Sequence, residues 1–297
     1  MRGKIWLNLV LLLLVSLLAL VAYLEPGSQQ PDHAQSLMSL PVSQVERIQL
    51  QQGDAQAITV ERQVNGWMIV DPIRVAASDY RIDSLLQLLS ATSYSSFAAS
   101  VRPLSAFGLE QPLARVLFND RAVLFGDIEP LNNRRYVLID DQVHLIDDRY
   151  FYQSQLLLSA LVDTALLPAG SRLVQISLPG LSLGQHQGDW QLQSPDDGVE
   201  VAAMDDVNEL VNEWQNARAL QVSRYQADVA EADIELVDAD GGSMMLELLA
   251  REPELILGRK ELGLRYHFTA DQADRLLSLP RRHTVSEADI SINNNDN

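Results

Sequence analysis

The side chains best suited to grip an anion or a partner's carboxylate are two arginine–tyrosine pairs, Arg134-Arg135-Tyr136 and Arg265-Tyr266. Arginine offers a planar fork of donors, and a neighbouring tyrosine adds an apolar plate with a polar tip. Strand alternation gives a plainer account, with the tyrosine turned inward and the arginine left in solvent. Arg135, Tyr136, Arg265 and Tyr266 are therefore the candidate contacts for a ligand or partner. The acidic pairs Asp140-Asp141, Asp147-Asp148, Asp196-Asp197 and Asp205-Asp206 would suit acid–base work or a divalent cation if two of them met on adjacent strand ends. Acidic turn residues on an acidic protein are the commoner explanation.

Other chemistry has little to build on. The five histidines are scattered, and neither HExxH nor any paired metal spacing occurs. The run Asp238-Ala239-Asp240-Gly241-Gly242 begins like a calcium loop, but its glycine falls too early and no glutamate stands at the twelfth place. A Gly-Gly hairpin between two strands fits it better. There is no glycine-rich phosphate loop and no G-x-S-x-G elbow, and Ser159 and Ser177 have no base nearby in sequence. No catalytic residue, metal or cofactor is expected.

Composition narrows the classes further. The chain has 297 residues and a formal net charge of −18. That balance argues against nucleic acid, whose phosphates demand a basic face, and against anionic lipid head groups. The absence of cysteine excludes disulfides, thiolate metal sites and cysteine nucleophiles. The only lysines are Lys4 and Lys260, so nearly all positive charge is arginine.

Elements must position these groups. Residues 5–24 form a run of twenty without a charge, long enough for a bilayer's hydrocarbon core, with Arg2 and Lys4 before it. This predicts a transmembrane anchor over 1–24 in the inner membrane, with the body facing the periplasm or cell exterior. A cleaved signal peptide is the rival. Residues 25–41 read as a flexible linker and 284–297 as a disordered tail.

Between them the chain repeats itself. Gly66-Trp67 and Asp189-Trp190 each open an alternating strand, and Pro72 and Pro195 follow five places after each tryptophan. What persists is core-forming, so Trp67, Pro72, Trp190 and Pro195 read as structural, with a Trp-lined groove as the alternative. Each half then enters a helix: Ile82, Leu85, Leu86 and Leu89 in the first, Val207, Leu210, Val211 and Trp214 in the second. Strands follow, with LFG…RRY matched to ILG…LRY. The expectation is an α+β protein of two tandem similar β-β-α-β-β-α modules, 42–170 and 171–283, on a single N-terminal transmembrane helix.

The GW-I-x-x-P element, Ala77-Ser78-Asp79, the phrase Phe107 to Pro112, LFG and RRYV together resemble an uncharacterised bacterial membrane-anchored domain-of-unknown-function family. That family includes auxiliary proteins of gliding-motility-type ABC transporters. The resemblance covers residues 42–170 and reaches the second half only through the internal repeat. It implies an envelope protein working beside integral transporter subunits, and it carries no catalytic residues. The resulting expectation is a non-enzymatic accessory or scaffold subunit of a membrane assembly. The alternatives are a small-ligand or glycan-binding ectodomain with its site between the halves, or a carboxylate-based hydrolase.

Overall fold

The computed structural model describes residues 11–16, 35–193, 204–226 and 228–279. Residues 11–16 are helical (α1) and exposed. The rest of the apolar run 5–24 lies outside the described residues, as do the tail after 279, His33, His283 and Pro195. Among the described residues no helix is long and apolar enough to cross a membrane.

The first half begins with β1 (Gln35–Ser36), β2 (Arg47–Gln52), β3 (Ile58–Gln63), β4 (Gly66–Asp71) and β5 (Val75–Ala76). After helix α2 (Asp79–Leu86) come β6 (Thr92–Ser93), β7 (Ser95–Ala98), β8 (Ala114–Phe118), β9 (Arg121–Glu129), β10 (Arg134–Ile139) and β11 (Gln142–Asp147). Two short helices, α3 (Arg149–Ser154) and α4 (Leu158–Leu161), lead out. The second half runs β12 (Leu173–Leu178), β13 (Leu181–His186), β14 (Asp189–Leu192), α5 (Met204–Gln215) and β15 (Gln221–Arg224). It ends in β16 (Ala232–Asp238), β17 (Ser243–Ala250), β18 (Leu255–Arg259), β19 (Leu264–Phe268) and α6 (Ala270–Leu277).

These strands build two large antiparallel sheets. One has nine strands in the order β5-β4-β3-β2-β8-β9-β10-β11-β7, and the other has eight in the order β14-β13-β12-β16-β17-β18-β19-β15. This corrects the expected α+β architecture of tandem β-β-α-β-β-α modules. The described chain is mostly antiparallel β, and its helices are short. In both sheets the strand that follows the first helix crosses to the far edge, so β7 pairs with β11 and β15 with β19.

The matching of LFG…RRY to ILG…LRY is also corrected. Counted from the β7 and β15 edges, LFG lies on the fourth strand and ILG on the third, while RRY lies on the third and LRY on the second. The words resemble one another but occupy different places.

Alternation builds the core as expected for half-buried strands. Ile48 and Leu50 of β2, Trp67 and Ile69 of β4, and Val137 and Ile139 of β10 all point into one contiguous core, which continues through the second half. The helices stand where the helical spacing placed them. Ile82, Leu85 and Leu86 bury one face of α2, and Val207, Leu210, Val211 and Trp214 bury one face of α5. Trp214 Nε1 donates to the Leu276 carbonyl at 2.7 Å and ties α5 to α6. The Asp238–Gly242 run closes the β16–β17 hairpin, with Gly241 at φ +83 and the Asp238 N–H donating to the Gly242 carbonyl at 2.8 Å.

Candidate binding cleft

The connector between the halves positions the site. Its first part pairs with the first half: the Ser78 N–H donates to the Leu161 carbonyl at 2.7 Å, and the Asp163 N–H to the Ala76 carbonyl at 2.9 Å. Its second part pairs with the other half: the Leu166 N–H reaches the Ala217 carbonyl at 3.0 Å, and the Ala219 N–H reaches the Thr164 carbonyl at 2.9 Å. Residues 161–167 thus form a strap bonded on both sides.

Over this strap lies a cleft of about 630 Å³. One wall comes from the β3–β4 turn and the start of β4, including Trp67 and Met68. The floor carries Asp163, Leu166 and Leu167, and the far wall carries Met244 of β17, Arg259 of β18 and Tyr266 of β19. Trp67 is only 7% exposed. Arg62, directly opposite it across the hairpin, stacks its guanidinium 4.4 Å from the ring centroid. Arg62 is fixed there by donating to the carbonyls of Val45 at 2.8 Å and Val42 at 3.0 Å.

The charges in the cleft are balanced, although the protein is strongly acidic. Arg74 and Arg259 face Asp79 and Asp163 among the lining residues. Asp163 pairs with Arg218 at 3.2 Å, and Arg259 pairs with Glu261 at 3.0 Å. Tyr266 is 1% exposed. Burial holds its phenol above the ordinary pKa, while the charge and hydrogen bond of Arg259 pull the other way. A lining of apolar side chains with two charges of each sign suits a segment or molecule that is itself amphipathic.

Of the four candidate contacts, Tyr266 alone lines this cleft. Arg135 is buried in the core of the first sheet. It makes an ion pair with Asp148, donates to the Gly126 carbonyl at 2.6 Å, and stacks 3.7 Å from the Phe151 ring centroid. Tyr136 points to the opposite face of β10 and packs on Phe107, ring centroids 4.9 Å apart. Arg265 pairs with Asp228 at 2.5 Å on the far side of β19 from Tyr266. Neither arginine is left in solvent. Both tryptophans are buried, Trp190 beside α5, and Pro72 follows β4 through a cis peptide bond.

The histidines divide. His186 is exposed, and His144 Nδ1 lies 2.9 Å from Ser93 Oγ, with burial lowering its pKa. His267 sits between Ser223 and Glu254, at 2.7 Å and 3.0 Å. That grouping gave no signal in sequence, because its members come from β15, β19 and the turn before β18. Among the described residues no group of three or more His, Asp or Glu side chains is placed to hold a metal ion.

Comparison with protein families matches residues 67–239 to a domain of unknown function (DUF4340). The chain belongs to that family. The DUF4340 match covers more than half the chain and runs from Trp67 on β4 to Ala239, just past β16. It therefore spans the strap and parts of both sheets and does not stop at the boundary between them. In the cleft, Trp67 and the strap fall inside the match, whereas Met244, Arg259 and Tyr266 lie beyond it. Comparison with curated proteins and with solved structures finds no match.

Proposed function

We propose that this DUF4340 chain is an accessory subunit of a membrane assembly, and that it holds part of a partner protein in the cleft between its sheets. The observation that carries the reading is the origin of the cleft walls, one from each half, over a floor made by the strap that joins them. Its volume lies within the range of about 300–1,000 Å³ typical of sites that enclose a compact ligand. In this reading the apolar N-terminal segment, residues 5–24, holds the chain at the inner membrane with its body on the periplasmic side. The resemblance to auxiliary proteins of gliding-motility-type ABC transporters makes integral transporter subunits the partners to seek. The role needs no catalysis by this chain.

The test is affinity purification of the full chain from detergent-solubilised membranes, compared with Met244→Arg, which puts a charge on the partly buried far wall. Wild type should capture transporter subunits, and Met244→Arg should lose them while keeping its melting temperature. Equal capture by both would remove the cleft from the interaction. A small amphipathic ligand is the second reading, favoured by the balanced charges of Arg74, Arg259, Asp79 and Asp163. Calorimetry with solutes extracted from the envelope separates it from the first.

A further inference from the structure

On β19, Leu264, Tyr266 and Phe268 join the common core, so Arg265 and His267 point to the other face of the sheet. Both are nevertheless buried, at 7% and 8% exposure. Ser223, half-buried on the edge strand β15, stands directly opposite Arg265 in the register. Its Oγ lies 2.7 Å from His267 Nε2, and His267 Nδ1 lies 3.0 Å from Glu254 Oε1. Arg265 uses Nη2 to bond the Gln226 carbonyl and Asp228, at 2.6 and 2.5 Å, but its Nε is buried without a hydrogen-bond partner.

We propose that Ser223, His267 and Glu254 form a nucleophilic relay that hydrolyses small acyl esters, with Arg265 Nε–H as the oxyanion donor. Ser223, His267 and Glu254 are spaced as such a relay requires. Glu254 accepts from Nδ1–H and so fixes the tautomer in which Nε2 is free to take a proton. Ser223 Oγ is within bonding distance of that nitrogen. A buried N–H with no acceptor is costly, and an oxyanion formed beside Ser223 would satisfy it.

The step balances. Ser223 Oγ adds to the ester carbonyl carbon as its proton passes to His267 Nε2, and the new oxyanion accepts from Arg265 Nε–H. Collapse expels the alcohol, which leaves with the proton from Nε2. Water then attacks the acyl-serine through the same base, releasing the acid and restoring the Ser223 hydroxyl. Glu254 bonds His267 and Asp228 neutralises Arg265, so an uncharged ester is favoured over an anionic one. Ser223 lies across from Arg265 on the sheet face opposite the common core, so the acyl group would approach over that face.

This activity is independent of the cleft, and its failure leaves that reading intact. The full chain would be treated with a fluorophosphonate, which phosphonylates an activated serine and releases fluoride, and the label mapped by mass spectrometry. Hydrolysis of p-nitrophenyl acetate would be followed in parallel. The expected results are a label on Ser223 of the folded wild type, its loss in His267→Gln, and a fall in kcat/KM of at least ~100-fold in Ser223→Ala. Arg265→Lys, which keeps the charge but not the Nε–H, should lower kcat more than it changes KM. An unlabelled Ser223 in wild type, or equal ester hydrolysis by wild type and Ser223→Ala, would overturn the proposal. Mapping the label on wild type keeps the test valid even if a variant fails to fold.

Discussion

Replacing Trp67 with alanine tests the packing that builds the cleft wall. The side chain is 7% exposed, belongs to the common core, and carries the Arg62 guanidinium on its face. Truncating a large core aromatic costs about 3–5 kcal/mol. Trp67 borders the cleft, so water can enter part of the space left behind, which favours the lower end, roughly 3 kcal/mol. For a folded body of this size each kcal/mol lowers the melting temperature by about 2–4 °C, giving a fall of roughly 6–12 °C. Thermal unfolding followed by circular dichroism reads this directly. A double-mutant cycle with Arg62→Met, which keeps the apolar stem, isolates the stacking. Its coupling should be about 0.5–1 kcal/mol. A shift below about 2 °C for Trp67→Ala, on the same scale, would refute the account of Trp67 as a packed wall. Zero coupling would refute the stacking alone.

Two further perturbations probe the first sheet. A Cβ on Gly126 would meet the Phe107 carbonyl oxygen at 2.2 Å, whereas one on Gly242 meets nothing within 4 Å. Gly126→Ala should therefore sharply lower the urea midpoint and Gly242→Ala should barely move it; equal midpoints would contradict the close approach. Burial holds His144 below its ordinary pKa. The unfolded chain then binds the proton more readily, and stability contributed by neutral His144 is lost as pH falls below about 6.5. Melting curves from pH 7.5 down to pH 5.5 should fall more steeply for wild type than for His144→Gln, and parallel curves would count against it.

Local pattern was enough for some elements and misleading for others. The α2 and α5 helices were legible because Ile82, Leu85 and Leu86, and Val207, Leu210, Val211 and Trp214, repeat at helical spacing within one stretch. The β16–β17 turn was legible because Gly241 needs its positive φ. Strand order was not. β7 and β15 are short edge strands, and their partners β11 and β19 come some forty residues later. LFG and ILG look alike because both are apolar pairs ending in glycine, yet they fill different strands. Arg135 looked like a surface contact because its strand alternates. Its partner Asp148 sits just beyond the next strand, and that pairing lets the guanidinium enter the core. Tyr266 was named as a candidate, but Met244, Arg259 and Asp163 reach the same cleft from three other places in the chain.

The strap gives the cleft a mechanical property that neither sheet would have alone. Two main-chain hydrogen bonds join residues 161–163 to the first half, and two join 164–166 to the second. Between them Asp163 accepts from the Ala165 N–H at 3.1 Å and from Arg218 at 3.2 Å, pinning the middle of the strap. The common core passes beneath it through Leu161, Val162, Leu166 and Leu167, all buried. Widening the cleft would break main-chain bonds and expose that apolar surface together, so the two walls should stay at a fixed spacing. A preformed site loses little conformational freedom on binding. In the proposed binding role, selectivity would rest on fit to Trp67, Met244 and Tyr266, with the two charges of each sign in the lining setting the orientation of what enters.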